Sequence, residues 1–193
     1  MNPVVHYLDM VSEMQAALLV KNGVKFKYSG IEDLYFKSGH LFSQEPLSVA
    51  DMFDLGELLR GVVRYRFRPR ECFMNAAKLA FDVNGLVYCE GFAWCGIIPV
   101  QHAWVSFRGR PIDVTWPKKD DGELAQGRID KVTVSLKKIL SRVAYNIGAC
   151  SYYGIEVANN YLREHILATE KYSPYVEGKD YSFKPVREGL PWR

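Results

Sequence analysis

Nucleophilic acyl chemistry needs a thiol, a base and an acid, and in this chain Cys72, His102 and Asp113 stand in the order and spacing to supply them. Cys72 opens a segment in which Phe73, Ala76, Ala77, Leu79 and Ala80 fit a buried helix, ended by Asn84-Gly85. A thiol in the first turn of a helix lies against unpaired backbone N–H groups and the positive end of the helix dipole, which favours the thiolate. The same N–H groups can hold the oxyanion that forms when a thiolate attacks a carbonyl. A base within about 3 Å is still required, and His102, at the start of an apolar strand, is the candidate. Asp113 comes one hairpin later. A turn centred on Gly109 would bring it close to opposite His102, where its carboxylate can hold the imidazole in the working tautomer. Taken singly, each has a plainer explanation, as a small core thiol, a structural histidine and a strand-end acid.

Other side chains around these three are weaker candidates. Gln101 could add an oxyanion donor, although a surface glutamine at a strand start explains it equally. Trp104 and Trp116 flank the strands of His102 and Asp113 and could wall the site or simply pack the core. Arg60, Arg64, Arg66, Arg68 and Arg70 fall within eleven residues, and the even spacing of the last four puts them on one face if the segment is extended. This basic stripe runs into Cys72, making Arg66, Arg68 and Arg70 candidate substrate contacts; the alternative is an edge strand protected by charge. Cys89 falls mid-strand and Cys95 in a loop, neither with a base nearby. His6, His40 and His165 read as surface or packing residues. Four cysteines are too few for a disulfide scaffold and match no zinc spacing, so each is judged alone.

The elements that must position these residues follow from periodicity and turn signals. Residues 4–20 carry Val4, Leu8, Val11, Gln15 and Leu18 at helical spacing, ended near Asn22-Gly23. Val24, Phe26 and Tyr28 alternate with polar residues as a short strand. Ser48 and Asp51 resemble a capping box for a helix to about Leu59. Residues 62–67 read as extended, with Pro69 as the boundary before the helix of Cys72. Residues 86–94, 102–107 and 111–114 are rich in β-branched and aromatic residues and read as strands, with Arg108-Gly109-Arg110 as a hairpin turn. Further on, residues 131–143 suggest a helix, 152–157 a strand, 160–171 a helix, and 172–193 a surface tail. Helices before and after antiparallel strands make an α+β pattern in a single domain over 1–193, its core at about 60–160.

The stretch Glu71-Cys72-Phe73-Met74-Asn75-Ala76-Ala77, then Tyr88-Cys89-Glu90-Gly91-Phe92-Ala93, His102-Ala103-Trp104-Val105 and Ile112-Asp113-Val114-Thr115-Trp116 resembles the transglutaminase-like superfamily. In that superfamily the cysteine opens a helix, the histidine precedes Ala-Trp on a strand and the aspartate stands in an Asp-x-Thr strand. The resemblance covers about residues 70–117. It implies a papain/transglutaminase-like core, a nucleophile helix packed on an antiparallel sheet with extra flanking helices, and a Cys72, His102, Asp113 triad. Glycine often precedes the family's cysteine by a residue or two, whereas Pro69-Arg70-Glu71 stands here. The chain is too short for the multidomain cross-linking members and carries no loop of EF-hand spacing, so no calcium, other metal or cofactor is expected. Arylamine N-acetyltransferases use the same triad, but their arginine-glycine-glycine lead is missing.

Size and composition fit this reading and exclude others. At 193 residues, 48% hydrophobic and 13% aromatic, the chain can bury a sizeable core. Its apolar runs are far shorter than the roughly 20 residues that span a bilayer, so no membrane partner is expected. Asp9 and Glu13 interrupt the first apolar segment, which reads as no secretory leader and implies a cytoplasmic protein. A net charge of +3, from 25 basic and 22 acidic residues, argues only weakly for a polyanionic partner. The expected activity is cysteine-dependent acyl transfer, hydrolysing a peptide or protein amide through a thioester. Two alternatives stand beside it: a catalytically inactive relative that binds an acidic or nucleic-acid partner through the arginine stripe, and an arylamine N-acetyltransferase-like acyltransferase.

Overall fold

A computed structural model describes residues 1–21, 28, 30–62, 67–68, 70–116 and 136–173. Its elements are α1 (Pro3–Lys21), α2 (Ile31–Ser38), β1 (His40–Leu41), α3 (Val49–Arg60), α4 (Cys72–Asp82), β2 (Val87–Trp94), β3 (Val100–Phe107), β4 (Arg110–Ile112), α5 (Leu136–Ala149), β5 (Ser151–Val157) and α6 (Asn159–Thr169). The five strands form one sheet in the order β1-β5-β2-β3-β4. Every neighbouring pair is antiparallel. The architecture is therefore α+β.

Alternation along each strand divides the core. On one face Tyr88, Ala103, Val105, Phe107 and Val157 pack with Ala76, Leu79 and Ala80 of α4 and Leu162 of α6. Phe92 and Ile155 extend that face under Val4 and Leu8 of α1 and Leu34 and Tyr35 of α2. The opposite face holds Cys89, Ala93, Trp104 and Tyr152, covered by Phe42 and Cys150. His102 shares this second face, two residues before Trp104. Gly154 makes room there, since a Cβ at that position would lie 2.8 Å from the Trp104 ring.

The β3–β4 hairpin turns on Arg108 and Gly109, with φ of 51° and 75°, between the paired residues Phe107 and Arg110. Two positive φ values match the right-handed twist of the flanking strands. The Arg108 guanidinium donates to Asp54 at 2.8 Å and to Asp51, tying the turn to α3. At the start of α3, the Ser48 hydroxyl accepts from the Asp51 amide at 3.0 Å, the cap its sequence signals.

Several elements differ from expectation. α2 and β1 were not anticipated, because the short run Ile31-Glu32-Asp33-Leu34-Tyr35 has too few turns to show a period. The expected strand at 24–28 and the extended segment at 62–67 fall mostly outside the described residues, as do residues 174–193. α5 continues six residues beyond its expected end to Ala149, and the strand expected over 111–114 stops at Ile112. The cysteines required the largest correction. Counted one by one they suggested no pairing, but Cys95 and Cys150 form a disulfide with their Cα atoms 4.4 Å apart. Strand pairing brings them together, because Trp94 and Ser151 are partners at the end of the β2–β5 ladder.

Candidate active site

Cys72 is the first residue of α4 and is buried. The preceding residue, Glu71, provides no side-chain cap. The amides of the first turn are therefore left without the usual side-chain acceptor. Such amides point out of the helix end, where an oxyanion beside the sulfur would lie.

Arg70, two residues before the sulfur, has φ of 65°. That left-handed conformation is the one in which glycine is favoured. An arginine thus stands where the backbone keeps a shape that glycine would adopt freely. One turn into α4, Asn75 fixes this approach. Its amide Nδ2 donates to the Arg68 carbonyl at 2.7 Å and to the Thr115 hydroxyl at 2.9 Å, and its Oδ1 accepts from the Arg68 amide at 3.1 Å.

His102 Nε2 lies 2.7 Å from Asp113 Oδ2. The carboxylate is fully buried and surrounded by donors. Oδ1 accepts from the Thr115 amide at 2.8 Å and the Trp116 amide at 3.2 Å, while Oδ2 also accepts from the Tyr152 hydroxyl at 2.9 Å. Helix α5 holds the same loop by its carbonyls: Arg142 donates to Val114 O at 2.8 Å, and Asn146 donates to Asp113 O at 3.2 Å and Trp116 O at 3.3 Å.

These surroundings set the charges. Burial alone would lower the His102 pKa, but the charge and hydrogen bond of Asp113, and then those of Cys72, outweigh it and push the imidazole up to about 10. Burial would likewise raise Asp113; the charge and hydrogen bond of His102, then the two loop amides, hold its carboxyl below the usual range. Cys72 is among the groups that favour the charged form of His102, after Asp113. With Nε2 committed to Asp113, Nδ1 is the ring nitrogen left for a second partner.

The other sequence candidates fall in different places. Gln101 is exposed on β3. Trp104 is 1% exposed, which leaves it no surface for a substrate; its ring stacks behind His102 with centroids 6.4 Å apart. Trp116, partly exposed, sits edge-on to His102 at 4.8 Å and is the ring at the rim. Arg68 is exposed, with its guanidinium 3.5 Å from Glu71, and Arg70 is exposed beside it. Arg64 and Arg66 lie outside the described residues. Glu90, the next acid in sequence, is buried and accepts from the hydroxyls of Tyr35, Tyr88 and Ser173. Among the described residues no cluster of His, Cys, Asp and Glu has the makings of a metal site.

Sequence reasoning missed Asn75, Tyr152, Arg142 and Asn146. Asn75 carried a signal, being a polar residue on the buried side of an apolar helix. Tyr152 carried none, since it reaches Asp113 from a strand 39 positions away. Comparison with protein-family models, with curated proteins and with solved structures gives no match. The functional reading therefore rests on the geometry.

Proposed function

We propose that this chain is a cysteine-dependent acyl-transfer enzyme of transglutaminase-like type that hydrolyses an amide or peptide bond. One observation carries the reading. Cys72 stands at the uncapped start of α4, and the groups that act on the charge of His102 include both Cys72 and a buried, donor-saturated aspartate that holds the ring's Nε2 at 2.7 Å. Burying such a pair is costly, and strongly perturbed pairs of this kind cluster at functional sites.

The steps follow from that arrangement. The Cys72 sulfur attacks the amide carbon while the first-turn amides of α4 receive the developing oxyanion. The His102 imidazolium gives its proton to the departing nitrogen, the C–N bond breaks and a thioester remains. Water then attacks the thioester, His102 takes its proton, and the carboxylic acid leaves as the C–S bond breaks. Asp113 keeps the ring oriented and stabilises its charged form throughout.

No helix among the described residues is long and apolar enough to cross a membrane. A cytoplasmic location would require the dithiol form of Cys95 and Cys150, because a cytosol keeps such pairs reduced.

The reading is tested with iodoacetamide near neutral pH under native conditions. Cys72 is expected to be alkylated stoichiometrically, and Cys72→Ser to take up no label. Cys89 serves as an internal control, since it is fully buried and burial raises its pKa well above the ordinary value. If the two free thiols react equally, or only after unfolding, Cys72 is a structural thiol and the proposal fails.

A further inference from the structure

Tyr152 is the one member of the Asp113 cluster that comes from across the sheet. Its strand, β5, is separated from β3 by β2, and its partner on β2 is Ala93. The next position on that face of β2 is Gly91, which is the partner of His102. The tyrosine therefore crosses β2 over two of the smallest side chains. Its ring lies 6.3 Å from that of His102 and 5.1 Å from that of Trp104, and its hydroxyl ends 2.9 Å from Asp113 Oδ2. That oxygen is the one bonded to His102. Two residues before Tyr152, the Cys95–Cys150 disulfide pins the start of β5 to the end of β2.

We propose that Tyr152 is a positioning residue of the Cys72 site, whose hydroxyl holds the Asp113 oxygen that orients His102. The inference rests on the acyl-transfer reading of that site and adds a fourth residue to it. A phenol donating to Oδ2 fixes the oxygen in space and takes up part of its negative charge, so the carboxylate binds the imidazolium less tightly. His102 can then release its proton to a leaving amine more readily than it could beside an aspartate with no second donor on Oδ2.

Among the described residues, the titratable and charged groups that face this pair are few. Cys72 of α4 acts on the charge of His102. Tyr152 of β5 faces Asp113. From α5 the Arg142 guanidinium reaches the Val114 carbonyl of the same loop. The rings of Trp104 and Trp116 carry no charge.

Two substitutions of opposite sense test the role. Tyr152→Phe keeps the ring and removes the donor; 3-fluorotyrosine placed at 152 keeps the ring and makes the hydroxyl a stronger donor. The readouts are the His102 imidazole titration by NMR and the pH profile of Cys72 alkylation by iodoacetamide. In Tyr152→Phe the loss of the His102 proton is expected to move up by about half a pH unit or more, since a hydrogen bond to a buried charge has been removed. The fluorinated protein is expected to move down. A merely structural tyrosine would give coincident curves, or shifts of one sign in both proteins, and either result overturns the proposal. If Tyr152→Phe fails to fold, the fluorotyrosine arm alone decides, with an unchanged titration counting against the role. Failure of the acyl-transfer reading would be recognised separately, by an unreactive Cys72 in the unaltered protein.

Discussion

The side-chain amide of Asn75 donates to the Thr115 hydroxyl at 2.9 Å, joining the start of α4, which opens at Cys72, to the loop that carries Asp113. Through the same nitrogen and its own oxygen, Asn75 also holds both main-chain polar atoms of Arg68. One residue thus sets the approach to Cys72 and the distance from α4 to the acid's loop. Asn75→Ala would strand the buried Thr115 hydroxyl and the Arg68 backbone. The expected loss is about 1–3 kcal/mol of stability, read from a denaturant midpoint, together with slower alkylation of Cys72. A variant with unchanged midpoint and labelling would remove Asn75 from the site.

The His102–Asp113 pair makes stability depend on pH in a defined direction. His102 titrates at 6.5 ordinarily and at about 10 in the fold, so between those values the folded state keeps a proton that the unfolded chain releases. Its contribution is full below about 6.5 and drains as pH rises towards 10. Asp113, whose carboxyl is held below its ordinary 3.8, contributes fully above that value and loses its share as pH falls further. Unfolding measured from pH 6 to 10 should show the alkaline decline in the unaltered protein and a flatter profile in Asp113→Asn. The same variant should lose turnover by roughly 10⁴, the scale seen when a triad aspartate is made neutral. Near-normal turnover would exclude Asp113 from the mechanism.

Gly154 leaves room for the ring of Trp104. Gly154→Ala places a methyl 2.8 Å from the Trp104 ring and hard against the Glu90 backbone, and backbone in mid-sheet yields little. A destabilisation of about 1–3 kcal/mol is expected, with a change in tryptophan fluorescence because the ring must move. Wild-type fluorescence in a fully stable variant would show that the contact relaxes at no cost.

Arg70 occupies a glycine-like conformation two residues before Cys72. Arg70→Gly should therefore hold or raise the unfolding free energy, by up to about 1 kcal/mol of relieved backbone strain, whereas Arg70→Ala should give no gain, both read from a denaturant midpoint. Equal behaviour of the two variants would place the effect in the side chain rather than in the backbone.

Local signals made much of this legible in advance. The apolar run behind Cys72 marks α4, Gly109 centres the β3–β4 hairpin, and that hairpin brings His102 and Asp113 together, because all three features depend on neighbours in sequence. The supports of the site depend on neighbours in space. Tyr152 belongs to the site only because β5 lies beside β2, and Asn146 and Arg142 only because α5 docks on the acid's loop; no period or spacing in the chain encodes those placements. Cys95 and Cys150 remained unpaired in the sequence reading for the same reason, since nothing in either segment announces the β2–β5 ladder. α2 escaped because eight residues are too few to establish a helical repeat.

The bridge between Cys95 and Cys150, 55 positions apart, closes a covalent ring around His102 and Asp113 and leaves Cys72 on the chain outside it. A peptide bond cut anywhere between 96 and 149 opens that ring without releasing either piece. If the cut falls between Trp116 and Asn146, the amino-terminal fragment keeps Cys72, His102 and Asp113, while the fragment bearing Asn146 and Tyr152 stays leashed to it through sulfur. Such a nicked molecule would travel as one species in a gel run without reductant and as two once a thiol is added. Sulfur would then be the last covalent link between the triad and the strand that steadies it.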